Sequence, residues 1–398
     1  MNKLRAFYDK PATRSVLSSL ISVFLGLLFG SLLVLVVSFA SADITFKSGI
    51  EGVKLVLLGI FCKGREAGNL VFGFNSQYLG DLLFRATPLI LTGLSVAVAF
   101  KTGLFNIGAP GQYLMSTAAT LYIALTVPSD VVPAALVWVL AFLGGILAGA
   151  LWGAIPGLLK ATLNINEVIA CIMTNWISAN LVTWFFENSP LRNASEASGG
   201  KIGYIKKTVE NGVATPKLGL DKLLPGSQIN AGILIAIAIA VLVYIVMTKT
   251  TFGYQLKACG SNRFAAKYAG IADKRNIILS MAIAGGLSGA AAALYYLSGN
   301  TEFFWSTYQS LPAVGFNGIP VALLAVNHPI GVIFAGVFMS ALNISGTALK
   351  YLTPYNEYIT DIIIASIVYF SAASLMIKMW LGRKKKVETK TDKKEDVA

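Results

Sequence analysis

Residues 131–159 read VVPAALVWVLAFLGGILAGALWGAIPGLL, from Val131 to Leu159 without one charged side chain. An apolar run of about 18 or more residues is long enough to cross the bilayer hydrocarbon as a helix. The same absence of charge recurs at 102–129, 168–186, 223–248, 276–301 and 303–349. Over the 398 residues, 55% are hydrophobic and 13% charged, where a soluble domain carries about 25% charge. Mean hydropathy is +0.68. These values exclude an ordinary soluble enzyme and a disordered chain. The fold class they define is all-α, a polytopic membrane protein.

Working outward, ten membrane segments are expected: 15–40, 83–100, 107–126, 134–159, 166–186, 229–248, 276–298, 313–326, 330–349 and 357–380. The eighth is short and is interrupted by Pro312, Gly315, Gly318 and Pro320. Broken segments are tolerated where they line a cavity or pack inside protein. The first run, Ser15 to Ala40, is too long for the h-region of a cleavable signal. Cys62, Cys171 and Cys259 are too few and too scattered for a disulfide framework or a metal cluster.

The net charge of +13 reads as topology rather than as nucleic-acid affinity. With both termini in the cytoplasm, 20 Lys and Arg fall inside and 12 outside, ten of the latter in the long segments 41–82 and 187–228. Short external connections carry none, as the positive-inside rule requires. The expected plan is a cytoplasmic N-terminus (1–14), a membrane domain (15–380) with an extracellular loop at 187–228 and a cytoplasmic loop at 249–275, and a disordered cytoplasmic tail (381–398). Segments 2–5 and 7–10 start on opposite faces, the arrangement of an inverted repeat. This rests on topology alone, because no strong internal repeat is visible in the residues.

In the 249–275 loop, Ser261 or Asn262 can cap a helix start, and Gly270 can supply a left-handed stop. A two-turn helix, Arg263 to Ala269, is expected between them. It carries aromatics at Phe264 and Tyr268, small residues at Ala265 and Ala266, and cations at Arg263 and Lys267.

The pattern Phe252-Gly253, Gly260-x-Asn262, Ala265-Ala266-x-Tyr268-Ala269-Gly270-Ile271 resembles the cytoplasmic signature of permease subunits in ABC importers for ribose, branched-chain amino acids and nucleosides. Asn106-Ile107-Gly108-Ala109-Pro110-Gly111-Gln112 resembles the Asn-Ile-Gly-Ala-Glu-Gly-Gln stretch of the nucleoside and simple-sugar branch, with Pro110 where that branch has Glu. Asn166-Glu167-Val168-Ile169 with Thr174-Asn175-Trp176-Ile177 is similar to it. So is Gly315-Phe316-Asn317-Gly318-Ile319-Pro320, followed by Asn327-His328-Pro329-Ile330-Gly331. The resemblance covers about residues 80–380 and is nearest to the bacterial nucleoside permeases that work with a BMP-type lipoprotein.

It implies a type II ABC importer-like fold in the bacterial cytoplasmic membrane and alternating-access import of nucleosides. It also implies that the loop helix (Asn262, Arg263, Phe264, Ala265, Ala266, Lys267, Tyr268 and Gly270) couples to a cytoplasmic ABC ATPase. The implied partners are that ATPase, a second homologous permease in a heterodimer, and an extracellular substrate-binding lipoprotein. Membrane lipid surrounds the chain; nucleic acid and cofactors are not expected. Simple-sugar import within the family, or a stand-alone secondary transporter, are the alternatives. The latter needs ion-coupling carboxylates in the membrane core, which the spans scarcely carry.

Catalysis is not expected of the chain. It has no phosphate-cradling G-x-x-x-x-G-K-[ST] and no H-E-x-x-H, C-x-x-C or G-x-S-x-G. Its one histidine, His328, stands beside Pro329 at an expected turn. Polar groups within spans are costly and tend to face the protein interior. Asn106 and Gln112 flank a Gly-rich break and suit either a polar pathway or tight helix packing. Asn175 and Trp176, with Ser178 and Asn180 nearby, suit a nucleobase or sugar, or equally helix contacts. Asn317 is a similar candidate. Asn164 and Glu167 have the spacing of a capping box, and Asp81 and Arg85 that of a helical ion pair.

Overall fold

The computed structural model describes residues 11–40, 44–129, 131–187, 189–192, 204–304, 310–356 and 358–372. The expected tail from 381 lies outside them. The chain divides into two compact units, residues 75–340 and residues 1–74 with 341–398.

In the second of these units α1 (Pro11–Ala40) is a long apolar helix, followed by α2 (Phe46–Leu58) and a two-stranded antiparallel hairpin, β1 (Cys62–Glu66) with β2 (Asn69–Phe72). Thr45 caps α2, its hydroxyl accepting from the Ser48 N–H at 3.2 Å. Gly52 allows α2 close approach: a Cβ there would meet Val34 and Tyr355 side chains at about 3.0 Å. Gly26 and Gly30 of α1 do the same for α14 (Tyr358–Ala372), against Ile367 and Ile363. The long segment 41–82, for which no element was expected, therefore holds a helix and a hairpin.

The larger unit begins with α3 (Ser76–Lys101), started by Asn75, whose side-chain oxygen accepts from the Tyr78 N–H at 3.1 Å. It continues with α4 (Ala109–Thr126), α5 (Ala134–Leu163) and α6 (Glu167–Glu187). After a long connection holding the short α7 (Leu220–Leu223) come α8 (Gly232–Lys249), α9 (Thr251–Ser261), α10 (Arg263–Tyr268) and α11 (Asp273–Tyr296). The last elements are α12 (Ala313–Leu324) and α13 (Pro329–Leu352), which runs on past residue 340.

Each of the ten expected segments holds a helix within its described residues; 373–380 of the tenth lie outside them. Among the described residues seven helices are long and apolar enough to cross a membrane; α4 is less apolar, and α12 and α14 are shorter. α3 is enclosed along most of its length and forms the core. α5 and α8 expose apolar side chains such as Leu140, Leu147, Leu151 and Leu242, as a lipid-facing helix does.

The closest helix pair is α5 with α11. Gly145, Gly149, Gly153 and Gly157 make one stripe on α5, facing Met281, Gly285 and Gly289. A Cβ at Gly153 would stand 2.5 Å from the Met281 carbonyl oxygen, and one at Gly289 2.5 Å from that of Gly145. Small residues every fourth position let membrane helices approach backbone to backbone.

Candidate functional site

The stretch after α3 turns back into the protein. Gly103 takes φ +74°, and the Leu104 N–H reaches back to the Ala99 carbonyl at 3.0 Å. Asn106 thereby arrives beside Ser95, within the last two turns of α3. Its amide exchanges two hydrogen bonds with that of Gln112: Asn106 Nδ2 donates to Gln112 Oε1 at 2.9 Å, and Gln112 Nε2 to Asn106 Oδ1 at 3.0 Å. Asn106 Nδ2 also donates to Ser95 Oγ of α3, which accepts in turn from Ser288 Oγ of α11, both at 3.0 Å. From α6, Asn175 Nδ2 donates to the Ile107 carbonyl and its Oδ1 accepts from the Gly111 N–H, each at 2.9 Å. All five side chains are buried. Three of the expected pathway residues, Asn106, Gln112 and Asn175, are thus brought together. In this conformation they spend their hydrogen bonds on one another and on the backbone of the break. Ser95 and Ser288 complete the network; the only sequence sign of them is a small hydroxyl in an otherwise apolar run.

This network starts α4 inside the protein, level with Ser95 of α3 and Ser288 of α11. From there α4 runs alongside α11, and α12 begins at the same level. A Cβ at Gly315 would lie 2.6 Å from the N and Cα of Pro110, and one at Gly318 2.6 Å from the backbone of Thr92. α12 then descends beside α3 toward the Lys101 end. Two short helices therefore meet head to head and leave in opposite directions, as corresponding members of the two expected inverted halves. Pro110 stands in the first turn of α4, packed against Gly315 of α12. Asn317, between the two contact glycines, is half-buried and outside the amide network.

Trp176 lies elsewhere: it is 54% exposed on α6, with Asn180 and Trp184 following at four-residue steps on the same exposed face. Two local readings are corrected here. Asn164 is not the cap of α6; it takes φ +53° as the left-handed C-cap of α5. Asn166 Oδ1 accepts from the Val168 N–H at 2.9 Å, and Glu167 pairs with Lys160 at 2.9 Å, so opposite charge rather than a capping box holds the carboxylate. Asp81 accepts from the Gln228 N–H at 2.8 Å and ties α3 to the chain before α8.

The 249–275 loop holds two helices where one was expected. α9 is capped by Thr250, whose Oγ1 accepts from the Gly253 N–H at 3.1 Å. It lies on the α3 turn, where a Cβ at Gly260 would be 2.8 Å from the Thr102 carbonyl carbon. α10 begins at Asn262, whose Oδ1 accepts from the Ala265 N–H at 3.0 Å, and Gly270 follows it at φ +78°. Arg263 Nε donates to Asp273 Oδ2 of α11 at 2.7 Å, so this cation is engaged within the chain. Ala266 is buried, whereas Phe264 and Tyr268 are 78% and 94% exposed beside Lys267. Nearby, His328 Nδ1 accepts from the Gly331 N–H at 3.4 Å. Burial, with Lys101 adding to it, holds the imidazole below its ordinary pKa of 6.5.

Multiple apolar spans around a broken-helix centre, with a capped surface element joined to the core, define a polytopic membrane protein. Residues 78–372 match the family of branched-chain amino acid transport system permease components, and the chain belongs to that family. It is 33% identical over 371 residues to the guanosine ABC transporter permease protein NupP of Bacillus subtilis, covering 93% of this chain and 97% of that one. It is 34% identical over 381 residues to the nucleoside ABC transporter permease protein NupB of Lactococcus lactis, covering 94% and 96%. It is 31% identical over 339 residues to the glucose ABC transporter permease protein TsgB13 of Haloferax volcanii, covering 83% and 86%. No solved structure matches.

Proposed function

We propose that this chain is the membrane-spanning subunit of an ATP-driven importer that moves nucleosides inward by alternating access. The observation that carries the reading is near-full-length similarity to two permeases named for guanosine and nucleosides. The glucose permease matches over a smaller share of both chains, which makes sugar import the second reading. Scarcity of charge in the spans favours a neutral solute, with energy supplied by a partner.

The partners of this reading are a cytoplasmic ABC ATPase, an extracellular substrate-binding lipoprotein and a second permease. Both Bacillus subtilis and Lactococcus lactis have two similarly named permease proteins, one near 33% identical to this chain and one at 24%. That pattern supports a heterodimer. Both termini lie in the cytoplasm, as the lysine and arginine distribution favours. α10 is the coupling element: Asn262, Arg263 and Gly270 fix its ends, Ala265 and Ala266 keep it slim, and Phe264, Lys267 and Tyr268 face the ATPase. The solute pathway passes the Asn106–Gln112–Asn175 centre and Asn317, with Trp176 contributing an aromatic face. Opening the pathway requires the amide pair to exchange its mutual bonds for bonds to solute or water.

The test is uptake by vesicles reconstituted with this chain, its co-encoded ATPase, second permease and binding protein. ATP-dependent accumulation of guanosine or another nucleoside, competed poorly by ribose and glucose, is expected. Accumulation of sugars alone, or uptake independent of the ATPase, overturns the reading.

A further inference from the structure

Between α1 and α2 lies an apolar groove of about 360 Å³, lined by Phe24, Leu28, Ser31 and Leu35 of α1 and by Val53 and Leu57 of α2. Its walls belong to elements whose outer faces are unusually apolar: Phe24, Leu28 and Leu32 of α1 are each more than half exposed, as is Leu57 of α2. The sequence of α2 explains the groove. Phe46, Ile50, Val53 and Leu57, spaced four, three and four residues apart, form one apolar face. The opposite face, with Gly49, Gly52, Leu55 and Val56, is spent on packing. A side chain at Gly49 would run into Ser38 and Leu35 of α1, so α2 is pinned against α1 near their shared end. The outward face is left to whatever medium surrounds it.

The edge of that face is charged. Lys47 and Lys54, seven residues apart and so nearly aligned on the helix, are both exposed beside the apolar strip, and neither has an ion-pair partner among the described residues. The acid within α2, Glu51, is buried and engaged by Arg65 of β1. Lys47 and Lys54 stand on the flank of this strip that is turned away from α1, and an apolar slot with two available ammonium groups across the strip is complementary to one amphiphile class.

We infer that this groove binds an anionic phospholipid, with an acyl chain lying between α1 and α2 and the headgroup phosphate held by Lys47 and Lys54. A free phosphate would gain nothing from the apolar walls, and a zwitterionic lipid would gain little from the two lysines. Each lysine near an anionic headgroup strengthens binding roughly five-fold.

The test uses the full chain with its partner subunits in nanodiscs of phosphatidylcholine with or without phosphatidylglycerol. Native mass spectrometry of the released complex is expected to show phosphatidylglycerol retained at least ten-fold over phosphatidylcholine. The double variant Lys47→Gln/Lys54→Gln should bring retention of the two lipids close to equal. Ser31→Phe, which fills the groove, should lower retention of both. A phosphatidylglycerol carrying a photoactivatable group on its acyl chain should label peptides of α1 and α2 in the unaltered protein, which keeps the test decisive even if a variant fails to assemble. Equal retention of the two lipids by the unaltered protein, preference surviving in the double variant, or labelling confined to other helices each overturns the proposal.

Discussion

Phe264 and Ala266 stand two residues apart on α10 and face opposite ways, so they call for opposite expectations. Phe264 and Tyr268 are exposed one turn apart, and truncating both to Ala removes no buried contact. The double variant should keep its thermal stability within about 0.5 kcal/mol, yet lose ATP-driven uptake, measured beside ATP hydrolysis in the reconstituted complex. Uptake at the unaltered rate would show that α10 does not couple. Ala266→Asp buries a carboxylate instead, and burying an unpaired charge is a folding defect; a lowered melting temperature should accompany any transport loss there. Asn106→Leu leaves Gln112, Ser95 and the Gly108 N–H short of a buried partner. A cost of about 1–3 kcal/mol per orphaned group is expected in thermal melts. His328 adds a pH dependence. Its folded pKa is lowered, so the unfolded chain binds the proton more readily, and stability is lost as pH falls below the ordinary imidazole value. His328→Gln should flatten the melting temperature between about pH 7 and 5.

At the scale of elements, the α5–α11 stripe is the firmest contact and the most vulnerable. Gly149→Leu drives a branched side chain into the backbone of Gly285 and Gly289, and overpacking of this kind costs about 3 kcal/mol or more. Loss of the folded peak in size-exclusion chromatography of the detergent-solubilised protein is the expected readout. The spans themselves were legible because charge-free length is a strong constraint in lipid. So was the α10 stop, since Asn262 and Gly270 are local capping devices. What escaped was set by tertiary contact. The turn of 102–108 back toward Ser95 depends on a partner eleven residues away, and the Asn164 cap on a left-handed angle that a Glu three residues later disguised. α2 and its hairpin hide in a segment too polar at Lys47, Glu51 and Lys54 to register as membrane-bound. Asn175 and Trp176 look equivalent in sequence, but neighbouring helical positions point about 100° apart. One is therefore buried in the amide network and the other faces outward.

For the whole molecule, orientation and partnership are linked through charge and exposure. The loop with α9 and α10 carries six of the basic residues, and α6 presents Trp176, Asn180 and Trp184 on the face opposite its buried amide. Asn180 Nδ2 donates to the Trp176 carbonyl at 2.8 Å, which lowers the cost of an amide on a hydrocarbon-facing side; a second permease, the solute path and lipid are the three neighbours to be told apart there. Single cysteines separate the first two from plain lipid exposure. Tyr268→Cys should react with a membrane-impermeant maleimide only in inside-out vesicles, placing α10 on the ATPase side. Trp176→Cys in the chain expressed with its second permease should react more than ten-fold slower than in the chain expressed alone, and addition of nucleoside with the binding protein should change that rate. Equal labelling of Trp176→Cys under all three conditions would place the α6 face in lipid and remove Trp176 from the pathway, leaving it to the Asn106–Gln112–Asn175 centre and Asn317.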